Sequence, residues 1–554
     1  MSLYPVVPGA GDGLAEDGLM VAVRLRDVAS PLRGGRAVAP GEVSALVVGG
    51  TGRVRSGEVL VFCKVVAVVP AVVRRDGRVQ AAGGPAGHAT LGPLERWLEE
   101  RAGPGVIEDA AARAVLDARF VKGERERLLT RAFMIRVIVL MTLLPGSGAR
   151  EAAAALAGDL AGVPWARPWE VPSERALGDW RNALGPGPLE ELLAVVLEAS
   201  RREHEARGWR AAPAGPLTAC SLDGTLIRVP DTPANRAAFG SVGTGDDTSP
   251  FPQVRALPLN DVSTRGLLGI VHGPSGGKGK AAGEQTLLDE AMERYPRLFA
   301  KDRLWIMDRN FPGAARVAVL AARTHFLIRL KSDIPLRQAS PVLADGSYMA
   351  DLSGDGLTVR VRVIEYYAEV EGQDVPEMFC LVTDLTDIAV HPAPQLAALY
   401  RWRWDGSETA LREAKASLDG AGPGTGPMLR SKSPGLVRQE LAAWAASTEM
   451  TRGVARDAAA AAVPARKGRA AGRPVSPREI SHARARRAVT AAIRAGITCY
   501  QALTSEIARY RVIVDRNRHR PRKSKSPSSF PRATPKDTRT RIAPAVITMA
   551  NAPA

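Results

Sequence analysis

The feature that most constrains the fold is a pair of short apolar segments that each end in an aspartate. Residues 217–222 read LTACSL and are followed by Asp223, and residues 304–307 read LWIM and are followed by Asp308. Short runs of apolar and β-branched residues without charges favour buried strands. Two such strands, each with a carboxylate at its carboxyl end, predict a sheet with an acidic edge.

Strand and helix signals alternate around these two segments. The other strand-like runs lie at residues 225–229, 253–259, 266–271 and 325–330, and the helical runs lie at residues 285–294 and 312–323. This order indicates an α/β fold built on a mixed sheet of the ribonuclease H-like kind. In that fold, acids from the first strand, the fourth strand and a late helix converge at one edge of the sheet.

The late helix is predicted within the stretch YRWRWDGSETALREAK at residues 400–415. From Glu408 onward it consists mostly of good helix formers, so we expect Ser407 to be the N-cap and Glu408 to lie in the first turn. Glu408 and Lys415 are about two turns apart and would share one face. An ordinary solvated amphipathic helix with surface charge pairs is the alternative interpretation.

This stretch resembles the signature of the insertion-sequence-four family of transposases, which is spaced Y-x2-R-x3-E-x6-K. Tyr400 and Arg403 fit, and Glu408 and Lys415 fit relative to each other, but four residues instead of three separate the arginine from the glutamate. Strict spacing would put Ser407 in the acidic position. We favour Glu408 because the E-x6-K half is intact, and because the Gly-Ser pair ahead of it can absorb an extra residue.

The segments around the two aspartates are also similar to this family. The DGT motif that begins at Asp223 leads into VPDTPAN at residues 229–235, and Asp308 begins the motif DRNFPG. In the second motif Asn310 stands where the family usually has a small residue. The resemblance covers roughly residues 91–530.

The resemblance implies a DDE site formed by Asp223, Asp308 and Glu408. Three carboxylates can hold two Mg²⁺ or Mn²⁺ ions about 4 Å apart, which activate a water or a 3′-hydroxyl and stabilise the leaving oxygen. Oxygen ligands suit these hard ions, and the sequence lacks the His or Cys cluster that zinc would need. The DNA-binding residues expected by analogy are Tyr400, Arg403, Trp404, Lys415, Arg329 and Lys331. For Trp404, core packing at a domain junction is an equal alternative.

Composition points to a polyanionic partner. The formal net charge is +17 and the sequence pI is about 10.1, which favours nucleic acid, although charge alone does not separate DNA from RNA or anionic lipid. The four cysteines form no CxxC pair, so we expect neither a zinc knuckle nor a disulfide framework. The longest apolar run, residues 59–73, is too short to span a bilayer. We therefore expect a cytoplasmic protein with no membrane partner, and the resemblance implies that it is bacterial and associated with the nucleoid.

The chain divides into four predicted regions. Residues 1–90 are expected to be a poorly ordered extension. Residues 91–207 are predicted to form an all-helical DNA-binding domain, in which a helix from Ser173 to Gly185 belongs either to a helix-turn-helix or to a simple bundle. Residues 217–455 are predicted to form the catalytic domain, with a β-rich insertion at 332–394. Residues 456–554 are expected to contain a linker, a helix and a basic disordered tail.

These features predict a transposase that cleaves the phosphodiester at the ends of its element and joins the 3′-hydroxyls to target DNA. Its partners would be terminal inverted repeats and target DNA, and pairing two ends implies a homodimer on DNA. Two alternatives stay open. One is a ribonuclease H-like nuclease without strand transfer, and the other is a catalytically inactive DNA-binding relic, which the extra residue before Glu408 favours.

Overall fold

The computed structural model describes thirteen stretches of the chain from Thr90 onward. They are residues 90–113, 130–161, 171–209, 214–243, 249–276, 283–331, 334–354, 356–370, 377–418, 427–464, 472–497, 499–512 and 545–551. Within the first 81 residues only short strands are described, and Glu58–Lys64 pairs with Met20–Arg24 and Gly52–Arg55. Apart from these strands, the predicted extension at 1–90 lies outside the described residues, as do residues 513–544 of the predicted basic tail.

A mixed sheet forms the centre of the molecule, as the sequence predicts. Its first six strands are β1 (Thr218–Leu222), β2 (Thr225–Arg228), β3 (Gln253–Asp261), β4 (Leu267–Pro274), β5 (Arg303–Met307) and β6 (His325–Arg329). Strands β4, β3, β1, β5 and β6 are neighbours in that order. Strands β1, β5 and β6 are parallel, whereas β3 runs antiparallel to both β1 and β4.

The predicted β-rich insertion continues this same sheet. It contains β7 (Leu336–Gln338), β8 (Tyr348–Gly354), β9 (Leu357–Val370) and β10 (Glu377–Thr383). Strand β10 pairs antiparallel with β6, and β9, β8 and β7 follow outward. A further strand, β11 (Ala545–Met549), pairs with the far part of β9. This last strand was not predicted from the sequence.

Helices cover the sheet and form a bundle beside it. The bundle helices that precede the sheet are α1 (Pro93–Ala102), α2 (Val106–Ala112), α3 (Arg131–Leu143), α4 (Ala149–Ala161), α5 (Glu174–Leu184) and α6 (Gly187–Arg207). The helices between the strands are α7 (Pro233–Phe239), α8 (Glu284–Arg294), α9 (Ala314–Arg323) and α10 (Ala393–Tyr400). The later helices are α11 (Ala410–Lys415), α12 (Pro434–Ala461), α13 (His482–Arg494) and α14 (Tyr500–Ala508).

The boundaries predicted for the helix now called α5 are confirmed. The Ser173 hydroxyl accepts a hydrogen bond from the Ala176 amide, and Gly185 follows the helix with a φ of 64°. A serine N-cap and a glycine after the last turn are the usual end signals of a helix. The predicted helix near 477–494 corresponds to α13, whereas α14 was not predicted.

Helix α12 joins the early helices to the sheet. Most of its residues are buried, and its apolar side chains share one core with α1, α3 and α6 and with Val254 and Ile270 of the sheet. The early helices therefore pack as a bundle whose core is continuous with that of the sheet. None of the helices in the described part of the chain is long and apolar enough to cross a bilayer.

Charged side chains reinforce this junction inside the core. The Arg456 guanidinium of α12 donates to Glu203 of α6 and to Glu449 of α12, at 2.8 Å in both cases. The other carboxylate oxygen of Glu449 accepts from the Leu267 amide of β4 at 2.5 Å. Buried charges are tolerated when they are paired and fully hydrogen-bonded. This network fixes α6, α12 and β4 relative to one another.

Candidate active site

The two predicted aspartates lie at the same edge of the sheet. Asp223 directly follows β1 and Asp308 directly follows β5, and these strands are parallel neighbours, with Ser221 opposite Ile306. Parallel neighbours end side by side, so the sheet itself brings the two carboxylates together. The first oxygen of Asp308 accepts from the Asn310 amide at 2.8 Å, which closes a tight turn after β5.

Glu408 reaches this edge from the helical segment that follows α10. It shares an arginine with Asp223, because Arg403 Nη1 lies 3.9 Å from Asp223 Oδ2 and Arg403 Nη2 lies 3.6 Å from Glu408 Oε1. The Arg403 side chain is mostly buried, and nearby acids, including Asp308, hold its pKa above the usual value although burial opposes them. Asp223 and Glu408 thus flank one guanidinium, and Asp308 is close enough to act on it electrostatically.

The electrostatics of Asp223 are those of a crowded acidic site. Burial, opposed by Arg403 and assisted by Asp308 and Glu284, raises the pKa of Asp223 to about 6. Like charges close together disfavour ionisation of both groups. A cation placed among these carboxylates would relieve that repulsion.

Glu284 is a fourth acid at this edge that the sequence analysis missed. It is the first residue of α8 and lies directly against Gly224, where a Cβ atom would collide with its carboxylate. Arg255 Nη1 lies 3.2 Å from Glu284 Oε1, yet burial and the nearby Asp308 keep the pKa of Glu284 above its usual value. The sequence signal for Glu284 was weak, since it consisted of one acid at the start of a helix and a glycine after Asp223.

A π-helical turn at Trp404–Thr409 carries Glu408, so the predicted start of the helix is wrong. A π turn closes its hydrogen bonds over five residues instead of four and therefore accommodates one extra residue within a continuous helix. Ser407 is not an N-cap. It is fully buried, and its hydroxyl donates to the Arg403 carbonyl at 2.8 Å. The extra residue between Arg403 and Glu408 is absorbed inside the helix and not ahead of it.

Close packing fixes which residue of this turn faces which neighbour. Gly406 lies against β1 and β3, where an added Cβ would be 2.7 Å from Ser221 Oγ and 2.9 Å from Val262 Cγ2. Only a glycine allows such a close approach without displacing a neighbour. With Gly406 and Ser407 turned inward, Glu408 is the acid of the turn that pairs with the Arg403 guanidinium.

The expected DNA-binding residues are distributed around the acids. The Arg403 guanidinium lies 5.8 Å from the ring centres of both Tyr400 and Trp404, and Tyr400 is buried. Lys415 donates to the Thr225 hydroxyl at 3.0 Å, beside the turn that holds Asp223. Arg329 stacks on Phe379, with 4.0 Å to the ring centre, and pairs with Glu377, while Lys331 is exposed. Tyr400, Arg403 and Trp404 thus lie together, whereas Arg329 contacts side chains of the insertion.

The oxygen ligands at this edge suit Mg²⁺ or Mn²⁺ in kind and charge. Within the described stretches, however, no three acidic, His or Cys groups lie close enough together to hold a metal as arranged. Asp223 and Glu408 contact Arg403 instead. The carboxylates suit divalent cations in kind, but binding the ions would require these side chains to turn from the guanidinium toward them.

Two sequence comparisons find transposases that are similar to this chain. Residues 105–194 match the family model described as the insertion element 4 transposase N-terminal domain. The chain is 27% identical over 300 residues to the transposase InsG for insertion sequence element IS4 of Escherichia coli strain K12. That match covers 50% of this chain and 60% of the relative, so the chain spans less than two thirds of the relative's length.

One solved structure also resembles the chain. It is the cryo-EM structure of the piggyBac transposase synaptic complex with hairpin DNA, which is 12% identical. The match covers 76% of this chain and 81% of the other, with a TM-score of 0.37. A score this low supports no conclusion about the site.

Proposed function

We propose that this chain, whose resemblance to the insertion sequence 4 transposases is confirmed by both sequence matches, is a metal-dependent DNA transposase. It would hydrolyse the phosphodiester bonds at the ends of its element and join the exposed 3′-hydroxyls to target DNA. The observation that carries this proposal is that Asp223 and Glu408 share Arg403 at the edge of the sheet where Asp308 also ends its strand.

The sheet supports a ribonuclease H-like catalytic core. The neighbour order β4, β3, β1, β5 and β6, with β3 alone antiparallel to the strands around it, is the arrangement expected from the order of elements in the sequence. It delivers acids after the first strand and after β5 to a single edge. The insertion between β6 and α10 leaves that edge intact, because its strands join the sheet beyond β6 and do not come between β1 and β5.

Each acid has a role in this proposal. Asp223, Asp308 and Glu408 would hold two Mg²⁺ or Mn²⁺ ions, which activate the attacking oxygen and stabilise the leaving oxygen of an in-line displacement. Arg403, already held between two of the acids, would turn to a DNA phosphate once cations replace it. Lys415 would bind a second phosphate beside the Asp223 turn, and Trp404 would stack on an unpaired base.

The partners we propose are DNA molecules, namely the terminal inverted repeats and the target. A homodimer on DNA would bring two ends together, and the basic residues between 509 and 541 would add salt-dependent phosphate contacts. We place this activity in the bacterial cytoplasm, at the nucleoid. A nuclease without strand transfer would use the same acids, and only joining of paired ends distinguishes the two.

The π turn weakens the case for an inactive relic. That alternative depends on the extra residue before Glu408, and the turn absorbs this residue while Glu408 stays in contact with Arg403. An insertion that removed the acid from the site would instead have turned Glu408 away.

Cleavage of DNA that carries the element's own terminal repeats tests the proposal. With Mg²⁺ or Mn²⁺, the wild type should give 3′-hydroxyl ends and joined products, and Glu408→Gln should cut at least about 100-fold more slowly. Ser407→Ala should keep activity within about threefold, because the hydroxyl only bonds the Arg403 carbonyl. Cleavage without joining would identify a nuclease, and DNA binding without cleavage in either metal would identify a relic.

A further inference from the structure

We infer that Arg265 is a positioning residue that holds the π turn, and with it Glu408, in the active site. The premise of this inference is the geometry around Arg265, and its consequence for catalysis rests on the proposed function. Arg265 lies at the end of the β3–β4 turn, outside the family signature. It acts through Asp405 and Glu413, which flank Glu408 in the chain.

The contacts of Arg265 form a clamp on both sides of Glu408. Its Nη2 and Nε atoms lie 2.6 Å and 3.2 Å from the two carboxylate oxygens of Asp405, inside the π turn. Its Nη1 atom lies 2.9 Å from Glu413 Oε1, in α11. A two-pronged arginine–carboxylate pair fixes orientation as well as distance. One guanidinium thus holds the segment before Glu408 and the segment after it.

A second arginine completes the clamp from the later part of the chain. Arg478 Nε lies 2.5 Å from Asp405 Oδ2, the oxygen that also accepts from Arg265 Nε. Burial favours the neutral form of Asp405, yet the two arginines hold its pKa below the usual value. Asp405 is therefore a buried carboxylate held as an anion between two cations.

The backbone of Arg265 shows that its position is enforced. Among the described residues it is the one non-glycine residue with a positive φ, 61°, a conformation that side chains with a Cβ rarely adopt. The turn is closed by Asp261, whose carbonyl accepts from the Arg265 amide at 2.9 Å and whose carboxylate accepts from the Thr264 amide at 2.8 Å. Only 7% of the Arg265 side chain is exposed. Such outliers persist where the surrounding structure fixes them.

The clamp matters because the π turn has an alternative. An ordinary helical turn over the same residues would rotate every side chain after the turn relative to those before it. Asp405 lies before the shift and Glu413 lies after it. A single arginine that binds both therefore selects the helix register in which Glu408 contacts Arg403.

The test compares Arg265→Met in two backgrounds of the full chain. In the wild-type background we expect the turnover rate for cleavage to fall at least about tenfold, with KM for DNA within about twofold, because positioning is lost and DNA contacts are kept. Deleting Ser407 restores the three-residue spacing and removes the need for a π turn. In that background the same change should cost less than about threefold.

Hydrogen exchange provides the readout that does not depend on activity. Arg265→Met should speed amide exchange in residues 404–413 at least about tenfold while β1 and β5 stay protected, which also shows that the variant is folded. The matched control is Arg360→Met. It removes an exposed arginine of β9 that pairs with Asp351 of β8, and it should leave amide exchange in residues 404–413 unchanged.

Each outcome decides the question. Equal losses of cleavage in both backgrounds, or unchanged exchange at residues 404–413, would overturn the positioning role. If the wild type does not cleave DNA, the proposed function fails, and the exchange comparison alone decides whether Arg265 holds the turn. Faster exchange across the whole sheet would mean that Arg265 only stabilises the fold, which also contradicts the inference.

Discussion

Replacing Asp223 by asparagine is expected to make the metal-free protein more stable at pH 8. Burial raises the pKa of this carboxyl to about 6 from its usual 3.8, with help from Asp308 and Glu284. A carboxyl whose pKa is raised by folding favours the folded state while it is protonated. That contribution is present below about pH 4 and is lost as the pH rises through about 6. Asparagine does not ionise, so it avoids the loss.

The size of the effect follows from the shift. A displacement of about two pKa units corresponds to about 3 kcal/mol in the free energy of unfolding. Because 21% of the Asp223 side chain is exposed, solvent screening reduces this to ~2 kcal/mol. In a chain of this length that difference raises the melting temperature by only ~2 °C. The gain should shrink toward zero at pH 4.

Thermal unfolding of the wild type and Asp223→Asn, measured from pH 4 to pH 8 without divalent metal, checks this prediction. Added Mg²⁺ should then stabilise the wild type at pH 8 more than the variant, because a bound cation relieves the repulsion among the acids. A variant that is less stable than the wild type at pH 8 would refute the argument that ionisation of Asp223 destabilises the folded protein at that pH. A stability difference that does not change with pH would refute it as well.

Two further substitutions test the packing and the charge around the site. Gly406→Ala should destabilise the protein by about 1–3 kcal/mol because the added methyl group meets β1 and β3, whereas Gly435→Ala, with open space around it, should be neutral or stabilise by up to about 1 kcal/mol. Equal unfolding midpoints in denaturant for the two variants would contradict this. Glu284→Gln should raise the metal concentration needed for half-maximal cleavage about tenfold, while Glu293→Gln, exposed on the same helix, should not change it. An unchanged metal dependence of Glu284→Gln would exclude Glu284 from the site.

The positions of Asp223 and Asp308 could be predicted because local and global signals agree there. Each follows a short apolar run, and each run became a buried strand of the mixed sheet. Parallel pairing of β1 with β5 then placed the two acids at one edge. The helix that begins after Ser173 was predictable for the same reason, since its cap residues are adjacent to it in the sequence.

The start of the helix that carries Glu408 was predicted wrongly because distant residues decide it. Helix propensity favoured a break at Gly406 and a serine cap at Ser407. In the structure the helical path continues through both, since Gly406 fits against β1 and Arg265 holds Asp405 from the β3–β4 turn. Glu284 was missed for a related reason. Its approach to Gly224 depends on how α8 packs beside the sheet, which no local pattern records.

Helix α3 has a consequence for how the chain is made. It is apolar on nearly every side, and its Thr142 hydroxyl meets Ser447 of α12 at 2.7 Å in the folded protein. A ribosome adds about 5–20 residues per second, so α3 emerges roughly 15–60 s before the α12 surface that covers it. For that interval the side of α3 that faces α12 stays uncovered on the nascent chain, and an exposed apolar surface is the kind that chaperones bind. Fragments that end before Pro434 should therefore aggregate or stay chaperone-bound, and a soluble, folded fragment of residues 90–430 would contradict this account.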